Sequence, residues 1–406
     1  MSKHHTVFLL YSIVLAVILG AAAGWYMGEK ALMFAWMGTL FLNSLKMVVV
    51  PLIVAAIISG VASLGDVRKL GRPGTITFIY YISTTIFAVT VGMVLAELIL
   101  PGNNYNLSLN SSFIDDSSSS NGLSNVLLSF ISPNIIASAA KLEVLPLIVF
   151  SIIFGSALTV TGEKGQIVTN FFEGLNSVMM VIVGWIMYLS PFGIFSLVAA
   201  PIAEAGGGVA VLETFTAVGS YLMTVLGGLL IHSIALFAIL VILAGRGKKY
   251  LRDVMPALIT ALSTSSSSAT VPLSMECATG HGLMKNPVRL MIPLGSTINM
   301  NGTAVYQGVA VIFLAQVYGV NLIYSDYVLV AITAAMAAIG SAGIPQGGHI
   351  MTLMLFSVVG IPAEGFGLLL GVDWFLDRAR TSINVWGDLV GAAVLDRFMK
   401  FNKLIK

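Results

Sequence analysis

Long apolar runs, each closed by a short polar or glycine-rich break, set the pattern of this chain. A helical crossing of a bilayer needs roughly 20 apolar residues. Runs of that length fall near 6–27, 31–63, 75–100, 134–160, 168–201 and 210–245, and predict six spans. The second and fifth are long enough to tilt strongly. The first is too long for a signal-peptide core and lacks a persuasive cleavage site, so it reads as a retained span. Beyond residue 250 the pattern changes. Ser263-Thr264-Ser265-Ser266-Ser267-Ser268, Asn299-Met300-Asn301-Gly302-Thr303 and the stretch from Gly340 to Gly348 interrupt the apolar segments. Backbone freed from helical pairing survives at membrane depth only where it is buried in protein or lines a wet cavity. The pattern therefore predicts a hairpin near 253–284, a seventh span at 286–316, a second hairpin at 328–362 and an eighth span at 364–399.

Composition agrees. The chain is 57% hydrophobic and 9% charged, against roughly a quarter charged in soluble domains, which makes it an integral membrane protein. A net charge of +2 gives no reason to expect a nucleic acid partner. Cys277 is the single cysteine, which excludes an internal disulfide, and His4, His5, His232, His281 and His349 lack metal-ligand spacing. Loop charge orients the chain. Arg68, Lys69 and Arg72 follow the second span, and Arg246, Lys248, Lys249 and Arg252 follow the sixth, whereas 101–133 carries Asp115 and Asp116 with no Lys or Arg. The positive-inside rule puts both basic loops and both termini in the cytoplasm, in a plasma or cell inner membrane. The serine-rich 101–133 loop is then outside; it reads as flexible, and Asn106 and Asn110 match glycosylation sequons. The bookkeeping closes if both interrupted segments re-enter, or if both cross; charge alone does not choose.

The sharpest chemistry lies in the last span. On a helix Asp377, Arg380, Thr381, Asn384 and Asp388 share one stripe. Charges at membrane depth are costly and face a cavity, a partner or an ion path. A stripe of both signs suits a solute carrying both signs. Arg380 binds a carboxylate through two parallel bonds, and its reading stays open between an internal salt bridge to Asp377 or Asp388 and a counter-ion for a substrate carboxylate. The second reading requires Arg380 and Asp377 not to neutralise each other; Asp377 would then accept a substrate ammonium. Asp388 is a hard oxygen ligand for a small cation. At the first hairpin tip Ser266 and Ser267 offer hydroxyls and N–H groups to an anion, aided by a half-helix that starts there. At the second, Gly343, Gly347 and Gly348 allow close approach to a ligand and Pro345 stiffens the turn. In the seventh span Gly302 weakens the helix and exposes carbonyls to a cation. Hairpin-plus-helix units that repeat with opposite topology are how many secondary transporters build their sites, and the second half of the chain carries two such units. No nucleophile–base pair emerges, so an enzyme is not expected.

Three motifs then coincide in order: Ser265-Ser-Ser-Ser-Ala-Thr-Val-Pro272, Asn299-Met-Asn-Gly-Thr303 with Tyr306 following, and Asp373-Trp-Phe-Leu-Asp-Arg-Ala-Arg-Thr381 through Asn384 to Asp388. Together they resemble the dicarboxylate/amino acid:cation symporters, the family of the excitatory amino acid transporters and their prokaryotic aspartate-transporting relatives. The resemblance is strongest over about 250–396. The serine quartet and Arg378 beside Arg380 are more similar to the eukaryotic branch than to the archaeal one.

The resemblance implies an all-α membrane protein of the glutamate-transporter-homologue fold, with eight transmembrane helices and two re-entrant helical hairpins in inverted repeats. It implies a homotrimer in the lipid bilayer, with scaffold helices in 1–74 and 134–209. A transport domain, formed by 75–133 (helix 3 and the serine-rich loop) and 210–406, would move like an elevator. Position by position, Arg380 would hold the substrate's side-chain carboxylate and Asp377 its amino group. Asn384, Ser267 and the tip backbone near Ile344 and Gly348 would bind the α-carboxylate, with Thr303 and Thr381 lining the pocket. One sodium site would use Gly295, Asn299, Asn384 and Asp388, and a second Thr297, Met300, Ala338, Ile339 and Ser341. A third would use Tyr81, Thr84, Thr85, Asn299 and Asn301. The family usually shows Asp where this chain has Asn301, so the third site is expected to be weakened or lost, leaving two or three coupled Na+. Gln307 stands where proton-coupled eukaryotic members carry Glu, which argues against proton carriage there. The expectation is sodium-coupled symport of L-aspartate or L-glutamate. The rivals are a C4-dicarboxylate symporter, a neutral amino-acid transporter and channel-like anion conduction.

Overall fold

The computed structural model describes residues 3–63, 67–103, 128, 130–204, 209–340 and 348–405. Among the described residues every regular element is helical: α1 (Lys3–Met27), α2 (Ala35–Ser63), α3 (Val67–Ile99), α4 (Ile135–Ala140), α5 (Val144–Thr161), α6 (Glu163–Ile186), α7 (Ser190–Glu204), α8 (Val209–Ala244), α9 (Lys248–Thr264), α10 (Ser267–Gly280), α11 (Lys285–Ile298), α12 (Asn301–Tyr318), α13 (Tyr324–Gly340), α14 (Gly348–Val358) and α15 (Phe366–Ile405). Short 3-10 turns at Gly28–Phe34, Met187–Leu189 and Ala363–Gly365 link some of them. Among the described residues, six apolar stretches are long enough to cross a membrane: Tyr11–Ala62, Gly71–Ile99, Val144–Thr161, Glu163–Met187, Leu212–Ala244 and Lys285–Tyr318. α1, α2 and α5 are apolar all round, as helices facing lipid and protein at once must be. α9 and α11 instead gather their apolar residues on one face.

Helix length decides what loop charge left open. α9 has 17 residues and α10 has 14, which at about 1.5 Å per residue gives rises of about 26 and 21 Å. Both fall short of the roughly 30 Å hydrocarbon core. They pack on each other and are joined by Ser265 and Ser266, with Ser265 in the left-handed region at φ 52°. α13 and α14 pair likewise, with 17 and 11 residues. Both interrupted segments therefore re-enter. The fifth predicted span, 168–201, is corrected: its helix starts at Glu163, ends at Ile186 and passes through a 3-10 turn into α7. Pro191, the second residue of α7, has no N–H to bond the carbonyl of Met187, which loosens that turn. The 101–133 loop lies outside the described residues over 104–127 and at 129.

Two packing groups result. α1, α2, α5, α6 and α7 pack on one another, while α3, α8, α9, α10, α11 and α15 surround a second core, and α12 packs on α3, α8 and α15 beside it. α13 touches both α2 and α3, and the first turns of α15 pack on α7, where Gly367 meets Leu197. α3 and α12 interlock through small residues: a Cβ on Gly92 would strike the Val305 carbonyl, and one on Gly308 the Val89 carbonyl. Close backbone approach of this kind is how helices associate in lipid, where burial of apolar surface gives little drive.

Candidate functional site

The second core converges on the middle of α15. Arg380 is 1% exposed. Its Nη2 donates to Asp377 Oδ1 at 3.0 Å and to Asp373 Oδ2 at 3.1 Å, and its guanidinium carbon lies 4.0 Å from the centre of the Tyr306 ring. Of the two internal pairings considered for Arg380, the one to Asp377 forms and the one to Asp388 does not. The requirement that Arg380 and Asp377 stand apart is thus not met, because buried charges a turn apart pair when no other partner is nearer. The pairing is lopsided. One nitrogen carries both aspartates, while among the described residues Nε and Nη1 have no hydrogen-bond partner. α14 begins over that edge: a Cβ on Gly348 would lie 3.8 Å from Arg380 Nη1 and 3.1 Å from Thr303 Cγ2.

The break in the seventh span falls at Asn299 and Met300, whose backbones leave the helical region, and the helix resumes at Asn301. Gly302 is therefore inside α12, and its role is corrected from helix breaker to point of closest approach. A Cβ there would collide with the Cα and carbonyl of Arg380. Asn384 Oδ1 accepts from the Gly302 N–H at 2.7 Å, capping the start of α12, and its Nδ2 donates to Met300 Sδ at 3.3 Å. We expect Gly302→Ala to be destabilised by about 1–3 kcal/mol, since backbone cannot yield as a side chain can. Thermal melting of the purified protein in detergent checks this, and an unchanged midpoint would refute the close-approach role.

A polar cluster lies beside this break. Asn299 Nδ2 donates to Asp388 Oδ1 at 2.8 Å. Gly295 leaves room for that carboxylate and for the Tyr81 hydroxyl, both of which a Cβ would strike. Tyr81 itself donates to the Met291 carbonyl at 2.5 Å, and Thr85 to Asn301 Oδ1 at 3.0 Å. A Cβ on Gly387 would meet Asn301 Nδ2 at 2.7 Å and Asn299 Nδ2 at 3.0 Å. Residues from the expected first and third sodium sets thus form one buried patch, apart from Thr84, whose hydroxyl turns to Tyr80 on its own helix. Asn299 Oδ1 is buried without a hydrogen-bond partner, an oxygen of the kind a hard cation seeks.

The other expected residues divide. Ser266 caps α10, its Oγ accepting from the Ala269 N–H at 3.2 Å, and Ser267 is buried at the first position of that helix, so a half-helix does begin at the tip. Thr381 and Thr297 bond carbonyls of their own helices, those of Asp377 and Leu294. Ala338 is buried on α13, which packs against α11. Ile339 adjoins it in the chain. Ile344 and Ser341, with Gly343, Pro345 and Gly347, lie outside the described residues.

Sequence reasoning missed two residues. Asp373 sits seven residues before Arg380 on the same stripe, and that spacing could have found it. His349, on α14, meets Asp373 Oδ2 through Nε2; its one signal was a place beside Gly348, at the edge of the second tip.

Comparison with known proteins follows the same lines. The model of the sodium:dicarboxylate symporter family matches residues 9–398. The chain is 34% identical to excitatory amino acid transporter 3 of Oryctolagus cuniculus, over 97% of its own length and 86% of the relative's. It is 32% identical to an excitatory amino acid transporter of Caenorhabditis elegans, over 97% and 88%. It is also 34% identical to neutral amino acid transporter B(0) of Mus musculus, over 91% and 75%.

Proposed function

We propose, since this chain belongs to the sodium:dicarboxylate symporter family, that it carries L-aspartate or L-glutamate across the membrane with sodium. It is a transporter and not an enzyme. The observation that carries the substrate reading is the half-used guanidinium of Arg380: a buried cation with Nε and Nη1 unpartnered. An unmet buried donor costs about 1–3 kcal/mol, more when charged. A substrate carboxylate arriving there accepts a charge-assisted hydrogen bond from one of these open N–H groups and relieves that penalty. Asp377 keeps its bond to Nη2 but is 14% exposed against 1% for Arg380, so it takes the ammonium without leaving the guanidinium, which favours an amino acid over a plain dicarboxylate. Sodium, the co-transported ion, binds at the patch of Asp388, Asn299, Gly295 and Tyr81, where one unpaired amide oxygen and one carboxylate supply hard ligands.

The group of α1, α2, α5, α6 and α7, together with α4, acts as the scaffold, and α3 with α8 to α15 as the body that moves past it. The protein works as a homotrimer with both termini cytoplasmic. In support, α6 leaves Ile167, Phe171, Val178, Val181 and Trp185 exposed on the single chain, an apolar surface for lipid or a second copy.

The test is radiolabelled L-aspartate uptake into proteoliposomes under an imposed sodium gradient, with L-glutamate, succinate and serine as competitors. Sodium-driven uptake inhibited by glutamate is expected. Transport of succinate alone, or uptake indifferent to the sodium gradient, overturns the reading.

A further inference from the structure

His349 is 3% exposed and stands on α14, the arm that leads away from the second hairpin tip. Its Nε2 meets Asp373 Oδ2, the same oxygen that accepts from Arg380 Nη2. The ring is held edge-on by Phe366, with centroids 5.6 Å apart at 73°, and Nδ1 has no partner. A buried chain His349–Asp373–Arg380–Asp377 thus joins α14 to the stripe of α15. The other titratable groups around it are Tyr306 on α12, under the guanidinium, and Tyr221 on α8, whose ring is 6.1 Å from that of Tyr306. α2, α5 and α13 also adjoin α14, but among the described residues none of them gives His349 a hydrogen bond or ion pair.

We propose that His349 is a positioning residue of the substrate site: it holds Asp373 from the α14 side, so that the aspartates take Arg380 through Nη2 and leave the Nε and Nη1 donors for the substrate carboxylate. The reasoning is competition for one carboxylate. Without a second donor, Asp373 can take Arg380 through two parallel bonds, the geometry guanidinium and carboxylate prefer. The second of those bonds would take Nε or Nη1, a donor the substrate needs. With His349 on one oxygen, Arg380 reaches Asp373 only through Nη2. This inference rests on Arg380 as the carboxylate receptor, but not on which acid is carried.

The experiment measures KM and maximal rate for uptake in wild type, His349→Leu and His349→Gln. The solute is aspartate or, if the wild type carries only succinate, succinate; the wild-type result therefore judges the proposed substrate separately. Loss of one charge-assisted bond corresponds to about tenfold in affinity, so His349→Leu should raise KM about tenfold with little change in maximal rate. His349→Gln, which keeps a neutral donor toward Asp373, should recover most of the affinity. A KM unchanged in His349→Leu, a loss confined to maximal rate, or a KM in His349→Gln as high as in His349→Leu overturns the proposal. If His349→Leu fails to fold, His349→Met, which also lacks a donor, takes its place under the same criteria.

Discussion

Arg380→Ala is expected to abolish uptake of acidic substrates, with apparent affinity falling at least about thirtyfold. Removing one partner of a buried, hydrogen-bonded charge pair costs about 2–5 kcal/mol, and the lower bound already corresponds to that loss. Two effects are superposed. The substrate carboxylate loses its receptor, and Asp373 and Asp377 lose the cation that both bind. The second effect alone can destabilise the protein by about 3–5 kcal/mol, so affinity must be measured on folded protein. The double variant Asp373→Asn with Arg380→Ala separates the two. It removes one stranded charge and restores stability without restoring the guanidinium. Recovered melting with absent aspartate uptake assigns Arg380 to the substrate; aspartate affinity retained in either variant refutes that role. The same variants should admit serine more readily, because the pocket no longer holds a cation that demands a second carboxylate.

Much of this site was legible before any coordinates. Charges inside an apolar run are conspicuous, and helical spacing put Asp377, Arg380, Asn384 and Asp388 on one stripe. The hairpins announced themselves through serine and glycine tips, and their short arms confirm re-entry. What stayed hidden depends on contacts between distant segments. Local reasoning treated Gly302 as a flexible residue, whereas its use is set by the Arg380 backbone that packs on it. The resemblance gives Asn384 to the substrate and to a sodium site; that its oxygen also caps α12 depends on an N–H from another helix. His349 and Asp373 are 24 residues apart, and no periodicity relates two helices joined by a turn. The lopsided pairing of Arg380 was invisible for the same reason: which nitrogen an aspartate takes is decided by tertiary geometry.

Asn301→Asp is expected to lower the sodium concentration for half-maximal uptake about tenfold and to make the protein more dependent on sodium for stability. Asn301 Oδ1 is engaged by the Thr85 hydroxyl, while Nδ2 is buried without a partner beside Asn299. An amide here presents one oxygen and one N–H, and the N–H repels a cation. A carboxylate replaces it with a second oxygen and a full negative charge. At about 4 Å and an effective dielectric near 20, a unit ion pair is worth about 4 kcal/mol, part of which is cancelled by the cost of burying the new charge. A net gain of about 1.4 kcal/mol is tenfold in affinity. Without sodium the gain reverses, because Asp388, held on the other side of Asn299, would face a second carboxylate across one amide. The variant should therefore melt lower than the wild type in sodium-free buffer and gain more on sodium addition, since a ligand stabilises in proportion to its differential binding. Equal half-saturation and equal thermal shifts in the two proteins would show that the amide already serves the third site as well as a carboxylate does. A steeper sodium dependence of uptake in the variant would instead show that the native chain moves one sodium fewer per cycle, with Asn301 as the cause.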